Sequence, residues 1–171
     1  MDPRRGTTIR LLDSFLRASL GGGSNDYYGT FPADKIPQHL LRVERFQIVI
    51  NTSSTRDPPG SGGHFITVEA TRKHIVYLDP LGAPCSQPDI ANFIRDCQRS
   101  HSYFNDPPIP HKSSVFCSLF CALFVLYHHL KPNWRLEFSP SPDLKSNDQK
   151  CITYINRLLG DPRLTPRLTR F

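Results

Sequence analysis

The sequence predicts an α+β fold, a mixed central β-sheet flanked by helices, one of which is buried. Three observations carry that expectation. Short β-branched runs at 46–51, 64–70 and 74–78 have the length and composition of strands. Runs at 8–20 and 86–97 repeat their apolar residues at helical spacing. Residues 115–126 are apolar on nearly every side, the mark of a helix that other elements pack against.

Taken in order, Thr7 and Thr8 precede Ile9, Leu12, Phe15, Leu16 and Leu20, which share one side, and Gly21, Gly22 and Gly23 stop the run. Residues 8–20 therefore read as a capped surface helix. Tyr27, Tyr28, Pro32 and Pro37 mark a turn-rich stretch. Residues 46–51 read as a buried strand, and the Ser-, Pro- and Gly-crowded 52–63 as a loop. Thr71, Arg72 and Lys73 suit a hairpin between strands 64–70 and 74–78, and Pro80 ends the second because it cannot donate to a ladder. Ser86 and Asp89 mark a helix start, with Ile90, Phe93, Ile94 and Cys97 as its inner face. Residues 105–112 form a Pro-rich connection, after which Ser113 or Ser114 opens the central helix. A last helix is expected over about 148–159, capped by Asn147 and stopped by Gly160. The tail repeats Pro-Arg-Leu-Thr at 162–165 and 166–169, so one folded domain is expected over 1–160 and a basic flexible tail over 161–171.

A chain of 171 residues can bury about 70% of the surface its unfolded form exposes, enough for a core without staples. Lys plus Arg exceed Asp plus Glu by six. That excess reads either as a solvated basic surface or as the footprint of a polyanion, chiefly nucleic acid held through its phosphates. No nucleic-acid recognition module accompanies it. Five cysteines, an odd number, and a start without an apolar run after Met1 argue for free thiols in a reducing compartment. The apolar stretch 115–127 falls short of the ~20 residues that span a bilayer, so no membrane is expected as a partner.

The chemistry-bearing candidates are Cys117, His64 and Asp79. Cys117 falls in the first turn of the central helix, where unpaired N–H groups favour an anion and could also stabilise an oxyanion. His64 opens one hairpin strand and Asp79 ends the other, fifteen residues on. A hairpin brings them to the same end, where an acid can fix the tautomer of a base. The alternative for each alone is ordinary: a core cysteine, a loop histidine, a turn aspartate before proline. Cys117, Cys121, His128 and His129 match no common zinc spacing, so no metal is expected.

Four segments resemble the adenovirus-type cysteine endopeptidases (adenain), which share a clan with the SUMO-deconjugating proteases. They are Ile50-Asn51-Thr52, Gly62-Gly63-His64-Phe65, Tyr77-Leu78-Asp79-Pro80-Leu81-Gly82 and Cys117-Ser118-Leu119-Phe120-Cys121. The family's equivalents read Val-Asn-Thr, Gly-Gly-Val-His-Trp, Tyr-Leu-Phe-Glu-Pro-Phe-Gly and Cys-Gly-Leu-Phe-Cys, in the same order. The resemblance implies an adenain/SUMO-protease-like fold and a viral maturation cysteine endopeptidase that cuts structural precursor polypeptides near glycine. It implies His64 as base, Asp79 as orienting acid and Cys117 as nucleophile. It further implies a protein of the virion and host nucleus, acting as a monomer without a required cofactor, and stimulated by nonspecific DNA or a viral peptide.

The sequence also departs from the family. Where the family places an oxyanion-hole Gln, six or seven residues before the nucleophile, this chain has His111 and Pro110. His111, with the Cys117 N–H, is the candidate oxyanion donor. Ser118 replaces a Gly, and Cys85 and Cys97 do not match the motif of the cysteine that links the family's activator peptide. Two other readings stand beside the maturation protease. One is a catalytically inactive relative that binds DNA or capsid, the other a protease that deconjugates ubiquitin-like proteins.

Overall fold

The computed structural model of the chain describes residues 8–21, 26–58, 63–104, 109, 114–130 and 145–160. These form a five-stranded sheet in the order β1-β2-β3-β4-β5 and four α-helices. The strands are β1 (Tyr27–Pro32), β2 (Phe46–Asn51), β3 (Phe65–Ala70), β4 (His74–Leu78) and β5 (Ser100–Phe104). The helices are α1 (Ile9–Leu20), α2 (Pro88–Asp96), α3 (Cys117–Leu130) and α4 (Lys145–Gly160). The central pairs β2–β3 and β3–β4 are antiparallel, while both edge strands, β1 on β2 and β5 on β4, are parallel. The sheet is therefore mixed, as the sequence predicts.

Alternation along the strands separates two apolar layers. Ile48, Ile50, Ile66, Val68 and Ile75 pack under α2 with Ile90, Phe93 and Ile94. Val49, Phe65 and Leu78 face the other way, against α1, α3 and α4. The apolar character of α3 on all sides follows from its position, since it packs on β3, α1 and α4 together and residues 118–126 are all buried.

Several expectations need correction. Residues 27–32 are a strand, not a turn-rich stretch, with a bulge between Tyr27 and Gly29. Its outer edge is held by α1: Asp13 Oδ1 accepts from the Thr30 N–H at 3.0 Å, and Arg17 donates to the Tyr28 carbonyl at 2.7 Å. α1 is accordingly more than a surface helix, and Leu12 and Leu16 are fully buried. Ser100–Phe104, unassigned in the sequence reading, is the fifth strand. α4 begins two residues before Asn147, which is buried and donates to the Ile109 carbonyl at 2.8 Å instead of capping the helix. The α2 cap is Gln87, whose side chain accepts from the Ile90 N–H, and not Ser86. The α1 ends agree with expectation, with Thr8 as N-cap and Gly21 in the left-handed conformation at φ 67°. The tail 161–171 lies outside the described residues. No helix among the described residues is long and apolar enough to cross a membrane.

Candidate active site

The β3–β4 hairpin brings His64 and Asp79 together. β3 and β4 pair antiparallel with Thr67 opposite Leu78, so the residue before β3 and the residue after β4 share one end of the hairpin. His64 Nε2 donates to Asp79 Oδ1 at 2.6 Å, with side-chain exposures of 24% and 3%. The acid is itself held in place. Its Oδ1 also accepts from the Leu81 N–H at 2.7 Å, and its Oδ2 from the Tyr77 hydroxyl at 3.4 Å. Burial, and then the charge of Asp79, push the Tyr77 phenol far up, so it stays a donor. The turn that supplies the Leu81 N–H is closed by the Gly82 N–H on the Asp79 carbonyl at 3.0 Å.

On its other side His64 faces Cys117, close enough for the sulfur to act on the ring's proton affinity. Because a carboxylate oxygen takes the proton on Nε2, the ring nitrogen left for sulfur is Nδ1. Burial acts most strongly on the ring and favours its neutral form. The hydrogen bond to Asp79 and then the Cys117 sulfur, with the charges behind them, act the other way and prevail. His64 is raised from 6.5 to about 9.

Cys117 is half-buried and is the first residue of α3. The Phe116 carbonyl accepts from Leu119 and Phe120 at 2.9 and 3.0 Å, and Ser114 Oγ accepts from the Phe116 N–H at 3.1 Å. That places the sulfur beside the first turn, whose N–H groups have no carbonyl a turn back to bind. The remaining cysteines differ. Burial pushes Cys97 up to about 11 and raises Cys85, Cys121 and Cys151 as well. All five are free thiols.

His64 is fixed by the strand before it. Thr52 N–H donates to the His64 carbonyl at 2.8 Å, and His64 N–H donates to Thr52 Oγ1 at 3.1 Å. Gly63 lies so close to Asn51 that a Cβ there would sit 1.8 Å from Asn51 Oδ1, so any larger residue must displace the Asn51 side chain from its bond with the Ser53 N–H. Thr52 and Tyr77 are functional neighbours that the motifs around His64 and Asp79 do not single out. Tyr77 had a legible signal, since strand alternation puts positions 77 and 79 on one side.

His111, expected as an oxyanion donor, lies outside the described residues. No group of three or more His, Cys, Asp or Glu able to hold a metal occurs among the described residues. A cavity of about 150 Å³ lined by Asp34, Asp89, Asn92 and Asp96 shares no residue with the His64 site.

No family model matches the chain, and no curated protein does. Among solved structures, ChlaDub1 from Chlamydia trachomatis is similar, at 15% identity and a TM-score of 0.44, with 90% of this chain and 78% of that one covered.

Proposed function

We propose that the chain is a cysteine peptidase in which Cys117 is the nucleophile, His64 the base and Asp79 the orienting acid. One observation carries this reading: a single imidazole holds a buried acid at 2.6 Å through Nε2 and meets a helix-start thiol with its other side. That is the arrangement nucleophilic catalysis by sulfur needs, with the base oriented by a third group.

The chemistry follows from the geometry. His64 takes the Cys117 proton, and the thiolate attacks the peptide carbonyl. Backbone N–H at the start of α3 receives the developing oxyanion, with His111 as the second donor that the sequence suggests. The imidazolium returns its proton from Nδ1 to the leaving amine while Asp79 keeps Nε2–H in place. Water, deprotonated by the same ring, then releases the acyl group.

The substrate class rests on the motif resemblance. It favours cleavage beside glycine in viral structural precursors, within the virion and the host nucleus, by a monomer. The excess of six basic residues supports nonspecific DNA as a stimulating partner. Exposed Arg45, Arg72 and Lys73 flank the ends of β2, β3 and β4 opposite His64, so a polyanion there would leave the catalytic end open.

A panel of glycine-containing peptides and ubiquitin-like fusions, incubated with the parent protein, Cys117→Ala and His64→Ala, tests the reading. Cleavage of the peptides by the parent, lost in both variants, is expected. Cleavage confined to the fusions moves the assignment to deconjugation. No cleavage of either, with or without added DNA, removes the catalytic reading in favour of an inactive binding protein.

A further inference from the structure

We infer that Thr52 is the positioning residue for the base: its hydroxyl stands in for a strand carbonyl and keeps His64 in register where β2 leaves the sheet. The inference rests on the reading of His64 as the general base. β2 and β3 pair without slip from Phe46↔Ala70 to Asn51↔Phe65, so the next pair in register is Thr52 with His64. An antiparallel pair of this kind exchanges two backbone bonds. One is ordinary, from the Thr52 N–H to the His64 carbonyl at 2.8 Å. The other is not, because the His64 N–H goes to Thr52 Oγ1 at 3.1 Å in place of the Thr52 carbonyl.

The substitution has a reason in the chain's path. Directly after Thr52 the backbone turns out of the sheet. Asn51 Oδ1 accepts from the Ser53 N–H at 2.8 Å, the Ala33 N–H donates to the Ser53 carbonyl at 3.1 Å, and Thr55 is bound to Asp34. A carbonyl that follows this turn cannot also stay in the ladder, whereas a hydroxyl one bond off the backbone can. His64 thus keeps both of its strand bonds one residue beyond the strand. The ring is thereby fixed between Asp79 and Cys117 although the segment before it is rich in Gly and Ser.

The test compares the parent with Thr52→Val, which keeps the shape and removes the acceptor, and Thr52→Ser, which restores it. Two quantities are read: the kcat and KM of peptide hydrolysis, and the His64 titration by NMR. Thr52→Val is expected to lower kcat by about 10–100-fold, with KM changed by less than about twofold. Its His64 titration is expected to fall from about 9 toward 6.5 as the Asp79 bond loosens. Thr52→Ser is expected to recover both. Parental kcat and titration in Thr52→Val overturn the inference, as does Thr52→Ser impaired to the same degree as a folded Thr52→Val. If Thr52→Val does not fold, Thr52→Ala removes the same acceptor and is held to the same outcomes. A parent that hydrolyses nothing removes the peptidase reading only. The titration then decides on Thr52, an unshifted His64 in Thr52→Val overturning its role and a shifted one sustaining it.

Discussion

At His64, burial and pairing pull one ring in opposite directions, and pairing prevails to hold the proton up to about pH 9. Under the proposed mechanism this gives an alkaline limb. kcat/KM should fall as pH rises through about 9, where the ring loses the proton it must give to the leaving amine. Asp79→Asn should move that limb toward 6.5, and by more than Cys117→Ala moves the His64 titration, because the Asp79 hydrogen bond is the larger of the two raising influences. NMR titration of the ring in the three proteins reads the order directly, and the reverse order would contradict it. Stability follows the same proton. The folded ring binds it more tightly than the unfolded one, so the stabilisation is complete below about pH 6.5 and lost as pH rises through about 9. Gly63→Ala belongs at this scale as well. Its Cβ would fall 1.8 Å from Asn51 Oδ1, so either the Asn51 amide leaves the Ser53 N–H that it holds beside Thr52 or the backbone leading into His64 moves. A kcat loss of about 10–100-fold with substrate affinity retained is the expected result.

At the scale of elements, α3 ties Cys117 to the core. Phe120 is fully buried one turn below Cys117, and Phe120→Ala should cost about 3–5 kcal/mol. Urea unfolding should show this as a lowered midpoint at unchanged slope. The elements that were legible in the sequence are those whose signal is local. β2, the β3–β4 hairpin, the inner face of α2 and the all-apolar α3 announce themselves through periodicity and turn residues. The two strands that were not, β1 and β5, are edge strands paired in parallel with partners far along the chain. Tyr27–Pro32 contains Gly29 and Pro32, which argue locally for turns, and Ser100–Phe104 begins with polar residues. Pairing partners, not propensity, make them strands. Asn147 misled for a related reason. Asn commonly caps helices, but here its amide is spent on the Ile109 carbonyl across the fold. The juxtaposition of His64 and Asp79 was readable because a hairpin places them at one end. Thr52 and Leu81 act through register and turn geometry, which only the folded backbone displays, whereas Tyr77 shares a strand face with position 79 and leaves that signal in the sequence.

At the scale of the molecule, the sheet separates two ends. One carries His64 and Asp79, and the other carries exposed basic residues around the β3–β4 turn. If the basic end receives nucleic acid, binding should show no sequence preference and weaken steeply as salt rises, and binding indifferent to salt would contradict the electrostatic account. The fold also sorts its five thiols. Burial keeps Cys85, Cys97, Cys121 and Cys151 protonated at neutral pH, while Cys117 sits at a helix start against His64. The most direct test of the central claim is therefore thiol labelling near pH 7 with a small alkylating agent, followed site by site in the parent, Cys117→Ala and His64→Ala. One fast site is expected in the parent, absent from Cys117→Ala and slowed in His64→Ala. Slow labelling spread over all five cysteines, unchanged by His64→Ala, would contradict it.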